Sequence, residues 1–92
     1  MRYTWDPEKD ALNRRKHGLS LEEGVPALED PDRDFWIDDR FDYGEERLVT
    51  LGTGRTQILV VVSTERDFDT TRILSVRKAN GKEKAWYYFG RS

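Results

Sequence analysis

The sequence predicts a single α+β domain in which helices pack against a mostly antiparallel sheet. Its 92 residues suffice for one domain and leave no room for a second, so we expect residues 1–92 to form one unit. Helix-capping patterns occur at three places, and turn residues separate four runs that resemble strands. With a short strand at the start, these patterns predict the order β-α-α-β-β-β-β-α.

The first two elements are a strand over about Arg2 to Trp5 and a helix that begins after Asp6. The Asp6 carboxylate can cap free backbone N–H groups, and Pro7 suits the first helical position because it has no N–H to leave unsatisfied. We expect the helix to reach about His17, since Gly18 can adopt the left-handed conformation that ends a helix.

The second helix begins at Ser20-Leu21-Glu22-Glu23, which is a capping-box pattern. Pro26 lies inside this helix, where proline removes a backbone hydrogen bond and clashes with the previous turn. The helix should therefore be short, kinked or partly 3₁₀. The segment Glu29-Asp30-Pro31-Asp32 should form the turn that follows it.

Four strands should follow as an antiparallel meander, with breaks at Gly44, at Gly52-Thr53-Gly54 and at Asp67-Phe68-Asp69. The run Ile58 to Val62 is apolar at both parities, so it should form a central strand with both faces covered. The four strands are expected at Phe35 to Asp38, Arg47 to Gly52, Gln57 to Thr64 and Arg72 to Lys78.

The last element is a helix opened by the capping box Asn80-Gly81-Lys82-Glu83. Ala85, Trp86 and Phe89 share one face of this helix, because residues three and four apart are neighbours on a helix surface. We therefore expect Trp86 and Phe89 to enter the core.

The composition excludes several classes of protein. Because the chain has no Cys, it can form neither disulfides nor thiolate metal sites. Its single His and scattered carboxylates form no ligand-spacing motif, so neither a metal nor a cofactor is expected. The longest apolar run is too short for a membrane span, and the start lacks the apolar stretch of a signal peptide. The sequence therefore predicts a cytoplasmic protein.

The net charge of −2 hides a strong asymmetry along the chain. Ser20 to Glu46 contains 11 acidic and 2 basic residues, whereas Arg72 to Ser92 contains 6 basic residues and one acid. A second basic cluster is Arg14-Arg15-Lys16-His17. This distribution allows one surface to bind phosphate and another to bind a basic partner, although it also occurs in proteins that bind neither.

Short motifs follow one another along nearly the whole chain. The first half contains Trp5-Asp6-Pro7-Glu8-Lys9, Asn13, Lys16-His17-Gly18, Ser20-Leu21-Glu22-Glu23 and Asp30-Pro31. The second half contains Gly44-Glu45-Glu46-Arg47, Val61-Val62-Ser63-Thr64-Glu65-Arg66 and Arg72-Ile73-Leu74-Ser75-Val76-Arg77-Lys78-Ala79. In this order the motifs closely resemble the BrnT toxin family. The chain departs from that family's pattern at Pro26, where the family usually has an unbroken second helix, and at Asp67-Phe68-Asp69, since the family usually has Gly after the Thr-Glu-Arg segment.

The resemblance implies a RelE-like fold and a metal-independent ribonuclease that inhibits translation. It also implies neutralisation by a BrnA-like antitoxin with a DNA-binding domain, so that operator DNA is contacted only through the antitoxin. An alternative from another class is a non-catalytic binding module that acts with a DNA-binding partner in transcriptional autoregulation.

Metal-independent RNA cleavage needs a base for the 2′-hydroxyl, cations for the phosphorane and an acid for the leaving oxygen. We expect Glu65, Arg66 and Arg77 to be catalytic and Arg72 to bind substrate. A hairpin of the last two predicted strands would bring these side chains close together. Arg72 and Arg77 differ by five positions, so they point to opposite faces unless a bulge intervenes. Arg77 is favoured because it shares its parity with Ser75. The alternative for Glu65, Arg66 and Arg72 is surface ion pairing.

The remaining predicted site residues come from the two ends of the chain. His17 is a predicted catalytic residue because histidine changes charge near neutral pH, and Lys16 is a predicted phosphate contact. The alternative for both is an interaction with the helix dipole. Lys78 and Tyr87 are also predicted to bind substrate, although Tyr87 is equally compatible with an antitoxin interface.

Overall fold

The computed structural model describes residues 1–40, 42 and 44–91. The predicted α+β class is confirmed, and the elements follow the predicted order. Pro26 lies in the first turn of the second helix, which is short and preceded by a 3₁₀ turn, as its position predicts. The elements are β1 (Arg2–Thr4), α1 (Pro7–His17), a 3₁₀ helix (Leu21–Gly24), α2 (Val25–Leu28), β2 (Asp34–Ile37), β3 (Leu48–Thr53), β4 (Ile58–Asp67), β5 (Thr70–Lys78) and α3 (Gly81–Phe89).

The strands form one five-stranded sheet in the order β1-β5-β4-β3-β2. Strands β2 to β5 pair as the predicted antiparallel meander, and β4 lies in the middle. Strand β1 joins the sheet parallel to β5, with Arg2 opposite Thr70 and Thr4 opposite Arg72. No helix in the described part of the chain is long and apolar enough to cross a membrane.

One face of the sheet is covered by α1, the 3₁₀ helix and α2. The close approach of α2 requires glycine at position 52, where a Cβ atom would lie 2.3 Å from the carbonyl oxygen of Ala27. The core on this face consists of Leu19, Leu21, Ala27, Leu59, Val61, Ile73 and Val76, with Tyr3, Trp5, Val25 and Leu28 packed around it. We call it the helix-covered face.

A buried polar residue, Asn13, attaches α1 to β5. Its side-chain amide donates to the carbonyl oxygens of Leu19 and Val76 at 2.8 and 2.9 Å, and it accepts from the Val76 N–H at 3.1 Å. These Val76 groups lie beyond Thr70–Arg72, the stretch of β5 that pairs with β1. Asn13 therefore satisfies backbone groups that would otherwise be buried without partners, and it fixes the C-terminal end of α1 beside β5.

The opposite face of the sheet is only partly covered, by α3. Its core consists of Val49, Leu51, Ile58, Val60 and Ala79, with Trp36, Val62, Trp86 and Tyr87 packed around it. The prediction that Phe89 enters this core is wrong, because Phe89 is 88% exposed. The inward stripe of α3 is instead Glu83, Trp86 and Tyr87, since Glu83 and Tyr87 both hydrogen-bond to other elements. We call this the open face.

Candidate functional site

A cleft of about 440 Å³ occupies the part of the open face that α3 leaves uncovered. Its floor consists of side chains from β2 to β5, including Trp36, Val49, Val60, Val62 and Ser75. Around this floor lie four basic side chains from three parts of the chain: Lys16, His17, Arg40 and Arg77. The cleft also contains the carboxylates of Asp38, Asp39 and Glu83.

Arg77 projects from β5 into the cleft and is held by Glu83 of α3. The two Nη atoms of Arg77 donate to the two carboxylate oxygens of Glu83 at 2.8 and 2.7 Å. Glu83 also accepts from the backbone N–H of Asn80 and thereby caps α3. Its hydrogen bond with Arg77 lowers the pKa of Glu83 and raises the pKa of Arg77, so the pair stays charged. The guanidinium is therefore preorganised at the cleft wall.

A second pair of the same kind lies on the β2 side of the cleft. Arg40 donates from Nε and Nη2 to the two carboxylate oxygens of Asp38 at 2.8 and 3.0 Å. The Asp38 side chain is 3% exposed, whereas that of Arg40 is 70% exposed. Asp38 itself is fixed in the sheet because its backbone N–H donates to the carbonyl oxygen of Arg47 at 2.8 Å.

Lys16 and His17 reach the cleft from the last turn of α1. The helix ends as predicted, with Gly18 in the left-handed conformation at φ 72° and its N–H donating to the Arg14 carbonyl. Because Asn13 attaches this end of α1 to Val76, the neighbour of Ser75 and Arg77, Lys16 and His17 are placed at the β5 side of the cleft.

The comparison with known protein families decides the identity. The model of the family described as the ribonuclease toxin BrnT of type II toxin–antitoxin systems matches residues 5–83, which include every basic group of the cleft. The chain belongs to the BrnT family. The crystal structure of the Brucella abortus ribonuclease toxin BrnT is similar in fold, with a TM-score of 0.64 and 22% sequence identity over 87% of this chain and 97% of that one. No curated protein matches the chain.

Three of the predicted site residues of the chain come together in the cleft: Lys16, His17 and Arg77. Arg77 shares its sheet face with Ser75, as their parity predicts, since they pair with Val60 and Val62. The alternative for Lys16 and His17, an interaction with the helix dipole, is compatible with this placement because both also lie at the C-terminus of α1.

Arg72 lies on the same sheet face as Arg77 but outside the cleft lining. The register between β4 and β5 shifts between Val62 and Ser63, which leaves Leu74 as a bulge without a partner on β4. Because of this one extra residue, Arg72 pairs with Thr64 and points to the same sheet face as Arg77. Glu65 pairs with Thr71 on the helix-covered face and lines a separate depression there. Hence Glu65 and Arg72 stand apart from the three residues that share the cleft.

Arg66, Lys78 and Tyr87 also lie outside the cleft. Arg66 forms a surface ion pair with Glu45 at 3.8 Å, and Lys78 is exposed at the end of β5. Tyr87 donates to Asp30 and accepts from Thr53 Oγ1 at 2.9 Å.

The Tyr87 contacts fasten α3 to the turn before β2. The hydrogen bond to Asp30 raises the pKa of Tyr87. Burial pushes the pKa of Asp30 up, but hydrogen bonds from Tyr87 and Thr53 lower it overall. Both pKa shifts favour an ionised Asp30 carboxylate that accepts a hydrogen bond from the protonated Tyr87 phenol. This hydrogen bond stabilises the contact between α3 and the turn.

The sequence analysis missed Asp38, Arg40 and Glu83 as parts of the site. Glu83 was visible only as a capping residue, because its pairing with Arg77 depends on how α3 folds back over β5. Asp38 and Arg40 lie inside the acidic segment, where the surplus of carboxylates conceals a single local ion pair. Among the described residues, no group of three or more His, Cys, Asp or Glu side chains is arranged to hold a metal.

Proposed function

We propose that the cleft is the RNA-cleaving site of a ribonuclease toxin and that cleavage is metal-independent. The observation that carries this proposal is the meeting of Lys16, His17 and Arg77 in one open cleft of a BrnT-family chain. An anionic backbone phosphate placed there would contact cations from α1 and from β5 at the same time. Open clefts suit an RNA strand better than closed pockets, because single strands present their backbone and bases along a groove.

The proposed reaction is an attack of the 2′-oxygen on the adjacent phosphorus. His17, in its neutral form, accepts the 2′-hydroxyl proton, and the bond from phosphorus to the 5′-oxygen breaks as the new bond forms. Water at the open cleft protonates the departing 5′-oxygen, and the hydroxide that results takes the proton from the imidazolium of His17, so the products are a 2′,3′-cyclic phosphate and a 5′-hydroxyl. Arg77 and Lys16 stabilise the negative charge that develops on the phosphorane oxygens.

We expect a BrnA-like antitoxin with a DNA-binding domain to neutralise the chain in the cytoplasm and to contact the operator on behalf of the complex. The family description supports an antitoxin partner in general. The segregated charge supports two separate surfaces, with the basic groups at the cleft available to RNA.

The test is expression of the chain alone, followed by cleavage assays on the purified protein. Growth should stop, and RNA should be cut in the presence of EDTA. Arg77→Ala should lower cleavage about 10²-fold, as removal of one electrostatic contact to a transition state usually does. Arg55→Ala is the control, because Arg55 is exposed and lines a different depression.

Two outcomes would contradict the proposal. Cleavage that vanishes with EDTA and returns with Mg²⁺ would exclude the metal-independent mechanism. A folded wild-type protein that binds an antitoxin but cuts no RNA would support the alternative, a non-catalytic module that acts through a DNA-binding partner. Melting temperatures of both arginine variants should accompany the assays, because Arg77→Ala also leaves the buried Glu83 carboxylate unpaired, and unchanged activity per folded molecule in that variant would mark Arg77 as structural.

A further inference from the structure

The cleft is bordered by two ion pairs of the same construction, and the proposed mechanism uses only one of them. Arg77 belongs to β5, whereas Asp38 and Arg40 follow β2, and strands β4 and β3 lie between them. With strands spaced about 4.8 Å apart, the two backbones are about 14 Å apart across the floor. Arginine side chains are long enough to reach over such a floor from both sides.

Both pairs direct positive charge outward and hide the negative charge. The carboxylate side chains of Asp38 and Glu83 are 3% and 9% exposed, while the side chains of Arg40 and Arg77 are 70% and 41% exposed. A ligand that enters the cleft therefore meets guanidinium edges first. Planar guanidiniums fixed in this way suit phosphate oxygens, which accept paired N–H donors.

Among the other ion pairs of the described chain, Arg14–Asp10 shows this asymmetry less strongly, at 63% and 15% exposure, and lies outside the cleft, whereas two further pairs lack it. In the Arg91–Asp34 pair the side chains are 40% and 33% exposed, and in the Arg66–Glu45 pair they are 47% and 30% exposed. Their carboxylates remain accessible to solvent and would repel a phosphate. The Arg40–Asp38 pair is thus built like the Arg77–Glu83 pair rather than like an ordinary surface ion pair.

The two guanidiniums also influence each other. The hydrogen bond from Arg77 to Glu83 raises the pKa of Arg77, and the positive charge of Arg40 opposes that rise. Two cations that repel each other across an open, solvated space form a favourable position for an anion, because an anion between them relieves the repulsion.

We propose that Arg40, held by Asp38, is a second phosphate-binding group of the cleft and binds a backbone phosphate of the RNA strand whose scissile phosphate lies at Arg77. This inference rests on the proposed function, since it takes RNA as the ligand. It assigns Asp38 a positioning role equivalent to that of Glu83. The acidic segment thereby contributes a cation to the RNA site.

The experiment measures binding of a 2′-O-methyl RNA oligonucleotide, which cannot be cleaved, to the full chain at several salt concentrations. The test variant is Asp38→Asn/Arg40→Gln, which keeps the net charge and neutralises both members of the ion pair. Its affinity should fall about 5- to 10-fold at low salt. Its plot of log affinity against log salt should be shallower by about 0.7, the value for one lost phosphate contact on a single strand.

The matched control is Asp34→Asn/Arg91→Gln, which neutralises another ion pair and also keeps the net charge. It should leave affinity and salt slope unchanged. Arg40→Lys provides a second test that retains the charge but not the planar donors, so its slope should be preserved while affinity falls about 2- to 3-fold. Circular dichroism establishes that each variant is folded.

The outcomes separate this inference from the proposed function. If the wild type binds the oligonucleotide and both Asp38→Asn/Arg40→Gln and Arg40→Lys bind it equally well with the same salt slope, Arg40 does not bind phosphate, and the proposed function stands. If the wild type neither binds the oligonucleotide nor cuts RNA, the proposed function fails, and the second phosphate site fails with it.

Discussion

The two faces of the sheet are stabilised in different ways. On the helix-covered face, apolar side chains interdigitate, and the one deeply buried side-chain amide, that of Asn13, is fully hydrogen-bonded. On the open face, a smaller apolar core borders a cleft whose walls are ion pairs with the anion buried and the cation exposed. The helix-covered face stabilises the domain, and the open face holds charged side chains in fixed orientations.

The contrast teaches that the open face, which carries the proposed site, depends on the helix-covered face for its geometry. Asn13 holds α1 against Val76, and this contact helps to place Lys16 and His17 at the cleft. Damage to the helix-covered face should therefore change both stability and the cleft, whereas damage to the cleft should change stability much less.

The largest expected effect is on stability, from Asn13→Ala. This change leaves the N–H and C=O of Val76 and the C=O of Leu19 without their partner, and each unsatisfied buried group costs about 1–3 kcal/mol. The free energy of unfolding should fall by about 3 kcal/mol in urea titrations. Arg15→Ala, an exposed change on the same helix, should stay within about 0.5 kcal/mol. Equal losses from the two variants would show that the contact with Val76 does not hold α1.

A smaller and pH-dependent effect is expected from Glu83→Gln. The pairing with Arg77 lowers the pKa of Glu83 in the folded state below the reference value of 4.5, so its contribution to stability is complete above that value. The contribution is lost as the pH falls through the lowered pKa. At pH 7 the variant should be about 1–2 kcal/mol less stable than the wild type, because solvent at the 41% exposed Arg77 side chain reduces the roughly 1.5–3 kcal/mol of a hydrogen bond between charged groups.

Urea titrations at pH 7 and at several values below 4.5 test this expectation. The difference between wild type and Glu83→Gln should narrow as the pH falls, because protonated Glu83 and Gln are both uncharged. Glu22→Gln, at an exposed position outside the cleft, serves as the control and should differ little from the wild type at pH 7. A gap for Glu83→Gln that stays constant with pH would mean that the charge of Glu83 contributes nothing.

The smallest expected effect is a gain, from Asp39→Asn. Asp39 is an exposed carboxylate that lines the cleft and opposes the approach of phosphate. Removing one exposed charge is worth less than about 1 kcal/mol, so RNA affinity should rise about 2- to 3-fold at low salt and less at high salt. Asp32→Asn, exposed but outside the cleft, should give no comparable gain in the same binding assay. A loss of affinity with Asp39→Asn would instead indicate a direct role for that carboxylate.

Much of the fold was predictable because it depends on local patterns. The Asp6 cap, the left-handed Gly18 and the 3₁₀ turn near Pro26 follow from the chemistry of single residues. The central position of β4 follows from its apolar run. The parallel addition of β1 and the exposure of Phe89 were beyond such patterns, since both depend on contacts between distant segments.

The site was predictable only in part, for the same reason. The alternation of side chains along β5 correctly predicted that Arg77 shares a face with Ser75. The face of Arg72 depends on the bulge at Leu74, which only the pairing with β4 reveals. The partners of the two cleft arginines could not be predicted, because Arg77 and Glu83 are six positions apart on different elements, and Asp38 and Arg40, although two positions apart, lie beyond the last residue of β2. They arise where a strand runs on into a helix and where β2 gives way to a loop.

The Glu83 carboxylate both caps α3 and accepts two hydrogen bonds from Arg77. Translation proceeds from the N-terminus, so a ribosome completes all five strands of the sheet before it reaches the residues of α3. Until α3 exists and folds, its capping carboxylate cannot hold Arg77 in place. A nascent chain would therefore carry every strand of its sheet while the guanidinium of the proposed site still lacked its support.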